Sequence, residues 1–308
     1  MAIDRSMRLL VLAALVFALS ACRTTDSART DANALHDDAI TVGSFDFAES
    51  ALLAEIYSQA LEAEGFTVRR AFNLGPREFV APALHSGLIE LLPEYAGTAV
   101  QFSSLGDTVA SSDPAAAHAA LEQVLLGSRV TALAPSPARD ANAMVVTRQT
   151  ADRLKLRRVS DVTKVASTLT FGGPPECPSR PLCLVGLKRV YALDFAEFVP
   201  LDAGGPLTRQ ALANGNVDIA LMFTTDPAID GERFVELEDD RRLQPAESVT
   251  PLVRTEVVER WGPRVVAAID AVSRGLTTEN LRELNGELTS GTSVVAAATS
   301  WLTASRSR

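Results

Sequence analysis

The chain of 308 residues carries a formal net charge of −9 with 47% hydrophobic and 22% charged residues, the make-up of a soluble globular protein. It is long enough for two domains of common size, and the acidic balance, with no basic stripe interleaved with aromatics, argues against a nucleic-acid partner. Its histidines, His36, His85 and His118, are scattered without ligand spacing, so neither a metal nor another cofactor is expected.

At the amino terminus Arg5 and Arg8 precede an apolar run from Leu9 to Ala21. The run is shorter than the roughly 20 residues of a bilayer-spanning helix and suits a signal-peptide core. It ends in Leu19-Ser20-Ala21-Cys22, a small-residue cleavage site followed at once by cysteine, which resembles the lipobox of bacterial lipoproteins. Residues 1–22 are therefore expected to be a lipoprotein leader, with Cys22 lipidated as the first mature residue. An ordinary signal peptide with an incidental cysteine is the alternative. Residues 23–38 are polar and without hydrophobic period, as a flexible tether would be.

The body opens with a strand at Ile40–Ser44 and a helix over Glu49–Glu64. Leu52, Leu53, Ile56, Tyr57, Ala60 and Leu61 share one face of that helix until Gly65 ends it. A strand at Phe66–Phe72 completes a βαβ unit and predicts a parallel sheet. A helix over Pro76–His85 leads into Gly87-Leu88-Ile89-Glu90-Leu91-Leu92-Pro93-Glu94-Tyr95-Ala96-Gly97-Thr98. Here Leu88–Leu92 reads as a buried strand whose ladder Pro93 stops. Tyr95 and Thr98 then follow a strand's carboxyl end, where open α/β sheets place their ligand crevice. The alternative is that Tyr95 is packed as core.

A helix over Pro114–Leu126 and a strand at Val130–Leu133 follow, and Ala134–Asn142, with Pro135, Pro137 and Asp140, reads as a crossing between domains. Alternation then resumes with a strand at Met144–Thr147, a helix at Ser160–Val165, a strand at Thr168–Phe171 and a loop holding Cys177 and Cys183. A helix at Leu184–Ala192, a strand at Glu197–Leu201, a helix at Leu207–Ala213 and a strand at Val217–Phe223 complete a second α/β domain. With Cys22 set aside, an even pair of cysteines in an exported protein reads as a disulfide closing a small loop; two free thiols are the alternative, and a zinc site fits less well. Past Asp226 come short strands at Phe234–Leu237 and Thr250–Arg254 and then helices. Thr278 is the expected N-cap of Glu279–Leu288, and a last helix, Ser293–Leu302, is expected to bury Val294, Val295 and Trp301.

Taken in order, Val42-Gly43-Ser44 with Phe47-Ala48-Glu49, Leu74-Gly75, the Gly87–Thr98 run, Arg180 seven positions before Leu187, and Val217-Asp218 leading to Phe223-Thr224-Thr225-Asp226 add up to a resemblance. The mature chain resembles the glycine betaine and choline binding proteins of ATP-driven osmoprotectant importers. The resemblance implies a type II periplasmic binding protein: two α/β lobes, joined by crossing segments, with a ligand cleft between them. Residues 39–140 would form the first part of lobe 1, 141–225 lobe 2, and 226–308 the helical return to lobe 1.

The function so implied is capture of a quaternary ammonium solute and its delivery to an ABC permease and ATPase, by a monomeric lipoprotein on the extracytoplasmic face of the membrane. By resemblance Tyr95 is an aromatic wall, Thr98 a polar contact, and Phe223 and Arg180 reach the cleft from the second lobe, with Asp140 and Asn142 at the crossing. Phe45 stands where many relatives have a lysine and would replace a missing wall, since Gly205–Arg209 lacks the usual cage tyrosine. Tyr57 and Tyr191 lie on helices and read as core. A solvated loop charge at Arg180 and a buried strand end at Phe223 are the bland alternatives. No Gly-x-Ser-x-Gly elbow, phosphate loop or paired histidine motif points to an enzyme. The competing function is a lipoprotein of the same fold that binds another small solute or serves as a ligand sensor.

Overall fold

A computed structural model describes residues 38–108, 110–229 and 232–306, so the leader, Cys22 and the tether as far as residue 37 lie outside the described residues. From Ile40 onward the chain clusters as one unit, built on two five-stranded sheets. The first contains β1 (Ala39–Gly43), β2 (Thr67–Ala71), β3 (Leu91–Tyr95), β4 (Val130–Ala132) and β10 (Val249–Arg254), in the order β2-β1-β3-β10-β4. The second contains β5 (Asn142–Thr147), β6 (Thr170–Gly173), β7 (Glu197–Pro200), β8 (Ile219–Phe223) and β9 (Phe234–Leu237), in the order β7-β6-β8-β5-β9. The two orders match position for position. In each sheet the strand arriving from the other lobe, β10 or β5, is antiparallel to both neighbours. The pairs β1–β3, β6–β7 and β6–β8 are parallel.

Helices cover both faces of each sheet, which is what strands of near-continuous apolar sequence require. In lobe 1, α1 (Ala48–Ala63), α9 (Pro263–Gly275), α10 (Thr278–Thr289) and α11 (Val294–Arg306) pack with Ile40, Val42 and Leu91 on one face. On the other, α2 (Arg77–Ser86), α3 (Ala96–Ser103) and α4 (Pro114–Val124) enclose Leu92 and Leu252. In lobe 2 the strand period of two divides β5 between two cores, Met144 and Val146 entering one and Ala143 and Val145 the other. Leu187 and Tyr191 of α6 (Leu184–Tyr191) fill the first of these, and Ala211 and Leu212 of α7 (Pro206–Asn214) the second. Tyr57 and Tyr191 are fully buried, as their helical positions predict. No described helix is long and apolar enough to cross a membrane.

Several boundaries differ from the sequence expectation. Pro93 does not stop β3 but sits inside it, facing Pro251 of β10. Neither ring has an N–H to donate, so the pair fills a rung that needs none. The strand starts later than expected, at Leu91: Leu88 is 63% exposed, and its N–H closes the end of α2 on the Ala83 carbonyl at 2.9 Å. Lobe 2 does not close at residue 225, because β9 covers the open edge of β5, with Thr147 opposite Phe234 and Met144 opposite Leu237. The chain recrosses only at residues 244–248. Thr277, not Thr278, caps α10, exchanging bonds with Asn280 in a capping box. Val295 is exposed, so α11 packs through Val294 and Trp301. Two short helices, α3 and α5 (Arg148–Leu154), lie where the sequence reading placed none, and residues 159–164 form a 3-10 turn rather than an α-helix.

The two crossings pair with each other. Ser136 donates to Val249 O at 2.8 Å, Val249 to Ala138 O at 3.0 Å, and Asp140 to Glu247 O at 3.0 Å. This two-stranded hinge forms the floor between the lobes.

Candidate ligand-binding cleft

Above the hinge lies a cavity of about 600 Å³, and all seven residues expected to bind ligand border it: Phe45, Tyr95, Thr98, Asp140, Asn142, Arg180 and Phe223. Bordering the cavity is not the same as facing it with a free group, and the seven divide on that point.

Tyr95 ends β3 and is the N-cap residue of α3, so the strand's last side chain points to the lobe junction. Its hydroxyl donates to Glu49 Oε1 at 2.7 Å, in the first turn of α1. Glu49 also accepts from Thr225 Oγ1 at 2.5 Å and Asn285 Nδ2 at 2.6 Å, tying both lobes to α10. Burial, and then the Glu49 charge, hold the Tyr95 hydroxyl protonated well above its ordinary range. Only its ring is left for a ligand, and at 6% exposure Tyr95 is half cage and half core.

Phe47, the N-cap residue of α1, is the ring that sequence reasoning passed over as a site residue. It stacks on Phe45 at 6.0 Å, Tyr95 at 6.1 Å and Phe223 at 5.4 Å between centroids. Phe47 therefore joins the aromatic residues of both lobes. Its presence within the quoted Phe47-Ala48-Glu49 motif, two residues from Phe45, was the available signal. Phe45 itself is 2% exposed, with the Arg77 guanidinium 4.9 Å from its ring centre, so it backs the cluster rather than facing the cavity freely.

The polar floor depends on a close approach. A Cβ on Gly97 would lie 2.3 Å from Pro245 Cγ and 3.0 Å from Ala246 O, so only glycine lets the return crossing touch the first turn of α3. That contact brings Glu247 to Thr98, whose N–H donates to Glu247 Oε2 at 3.0 Å and whose hydroxyl donates to Oε1. Thr98 thus positions a buried carboxylate, a role different from the direct ligand contact expected of it. Burial raises Glu247 from the usual carboxylate value to about 7. Asp140, on the facing crossing, accepts from Thr225 N at 3.0 Å and Thr224 Oγ1 at 3.2 Å. Burial and the Glu49 charge push it well above the ordinary range. Beside them Arg77 is held bidentate by Glu94 at 2.7 and 2.9 Å.

From lobe 2, Phe223 ends β8, and Arg180 stands on the loop closed by the Cys177–Cys183 disulfide, whose Cα atoms are 5.3 Å apart. Arg180 does not extend freely into the cleft: its guanidinium binds Glu78 of α2 at 2.8 Å, a bridge between the lobes. Against the upward push of burial, that guanidinium holds Glu78 below its ordinary value. Asn142 spends its amide on Leu182 O at 3.2 Å and Gln244 Oε1 at 3.1 Å, which fixes β5 to the return crossing. The assembled surface is aromatic above and carboxylate-rich below.

Residues 38–304 match the family described as the substrate binding domain of the ABC-type glycine betaine transport system. The chain belongs to this family. A glycine-betaine-binding protein of Pseudomonas aeruginosa is 26% identical over 263 residues, covering 82% of each chain. The carnitine transport binding protein OpuCC of Listeria monocytogenes is 26% identical over 254 residues, covering 81% of each. Among solved structures, a glycine betaine/carnitine/choline ABC transporter protein superposes with a TM-score of 0.67 at 22% identity, covering 86% of this chain and 97% of that one. The last comparison carries the fold, that of a type II periplasmic binding protein. In this substrate-binding protein the matched sheet orders and paired crossings are that architecture, and the ring cluster stands where its lobes meet.

Proposed function

We propose that this substrate-binding protein captures a quaternary ammonium solute between its lobes and delivers it to an ABC permease and its ATPase without catalysing a reaction. The observation that carries the reading is convergence: Phe47 and Tyr95 from lobe 1 and Phe223 from lobe 2 meet on one cavity. A quaternary ammonium has no hydrogen to donate, so aromatic faces are what can hold it, each contributing about 0.5 to 2 kcal/mol. Ring centroids 5.4 Å apart are in contact with each other. A cation held between Phe47 and Phe223 parts that stack, so binding and lobe movement are linked. Cys22 would hold the protein to the extracytoplasmic face of the membrane through its lipid, with residues 23–38 as tether, and the protein works as a monomer.

Titration calorimetry of the mature protein with choline, glycine betaine and carnitine, beside a primary amine of similar size, tests this. Saturable heats are expected with at least one quaternary compound and none with the amine. Binding of an uncharged or anionic solute alone would remove the function and leave the fold.

A further inference from the structure

Among the described residues lining the cavity the only cations are Arg77 and Arg180, against six acidic side chains. Both arginines are already matched, Arg77 by a bidentate bond to Glu94 and Arg180 by Glu78. A carboxylate on the ligand would therefore have to compete with a carboxylate already in place for either guanidinium. The floor has the opposite imbalance. Glu247 and Asp140 are 2% and 4% exposed, are joined through the Asp140 N–H to Glu247 O bond, and accept their hydrogen bonds from the neutral donors of Thr98, Thr224 and Thr225. Arg77 acts on Glu247 only through space and is itself bound to Glu94, so the charge of this carboxylate is answered only in part, and a cation in the adjoining cavity offsets the cost of burying it.

Resting on the function proposed above, we infer that the cleft selects ligands of net positive charge over zwitterions that carry the same trimethylammonium head, with Glu247 as the specificity-determining residue. The ammonium head is held by the rings of Phe47, Tyr95 and Phe223, and its charge is answered by Glu247 with Asp140 beside it. A zwitterion brings a second carboxylate into the same field and gains no uncommitted guanidinium. This departs from the ligand in the family's name, which is itself a zwitterion. The sign of the cavity, read residue by residue, is the reason.

The test uses three probes that share the head: tetramethylammonium and choline, which are monocations, and glycine betaine, which adds a carboxylate. Calorimetry at pH 8 is expected to show both monocations binding at least about tenfold more tightly than glycine betaine. Glu247→Gln should narrow the choline-to-betaine ratio by about tenfold, with Asp140→Asn as a second variant should the first fail to fold. Glycine betaine binding as tightly as choline to the unaltered protein would overturn the inference while leaving the proposed function intact. So would a Glu247→Gln variant that weakens both ligands equally. Absence of binding by all three probes to folded protein would instead remove the proposed function and this inference together.

Discussion

Tyr95 and Phe223 were expected to act alike as cage walls, yet their surroundings give them different consequences. Phe223 and Phe47 are only partly buried, whereas Tyr95 is enclosed and its hydroxyl supports the buried Glu49 carboxylate. Phe47→Ala and Phe223→Ala are each expected to weaken binding about 5- to 30-fold, the loss of one ring, with little change in melting temperature. Tyr95→Ala is expected to cost about 3 to 5 kcal/mol of stability as well, measured by denaturant unfolding. Glu247 makes a prediction about pH. Its value is raised to about 7 by burial, so the folded protein holds this proton where the unfolded chain has lost it. Its contribution to stability is complete below the usual carboxylate value and declines as pH rises toward 7, by about 3 kcal/mol in all. Asp140 is displaced in the same direction, while Asp161, Asp240, Glu62, Glu78 and Glu279 are lowered and act at more acid pH. Ligand-free protein should melt at a lower temperature at pH 8 than at pH 5.5, and Glu247→Gln should reduce that difference. A melting temperature that rises over this interval would contradict a carboxylate whose burial outweighs the Thr98 hydrogen bonds and the Arg77 charge.

At the scale of elements, the decisive contact is between the first turn of α3 and the return crossing. Gly97→Ala places a methyl against Pro245 and the Ala246 carbonyl, neither of which is a flexible side-chain end. The crossing must shift, at a cost of about 1 to 3 kcal/mol, and Glu247 leaves Thr98 as it does so. Unfolding should report the lost stability, and choline affinity should fall although no ligand-contacting side chain has changed. Unaltered affinity would mean that the crossing does not position the site. The Cys177–Cys183 loop acts differently. It orients Arg180 toward Glu78 rather than toward open cavity, and because that pair is partly exposed it is worth about 0 to 1 kcal/mol. It serves better as a contact between the lobes than as a source of stability.

For the whole molecule, two sheets of matching order, linked by paired crossings, leave one cleft between them, and residues 1–37 precede the described body. If Cys22 carries lipid, Cys22→Ser should move the protein from the membrane fraction to the soluble one, or leave it uncleaved. Several acyl chains anchor stably where one is marginal. Wild-type protein found wholly soluble with an unmodified Cys22 would remove the anchor from the proposal.

Local order in the sequence determined a good deal. Strand and helix periods, the glycine that ends α1 and the proline-rich first crossing are properties of neighbouring residues, and so is the α/β alternation from which two lobes follow. Seven of the residues bordering the cleft were legible through an ordered series of motifs, Tyr95 and Phe223 among them at strand ends, whereas Phe47 and Glu247 were not. Only the tertiary structure decided what those residues touch. Thr98 meets Glu247 across 149 positions, Arg180 meets Glu78 across 102, and β9 joins the second sheet rather than the first. Glu247 carries no local signal, since a single glutamate in a polar segment reads as solvated until a glycine in another element lets the chain press it into the floor. Charge balance in a cavity is a sum over residues brought together by long-range packing, and no spacing along the chain encodes it.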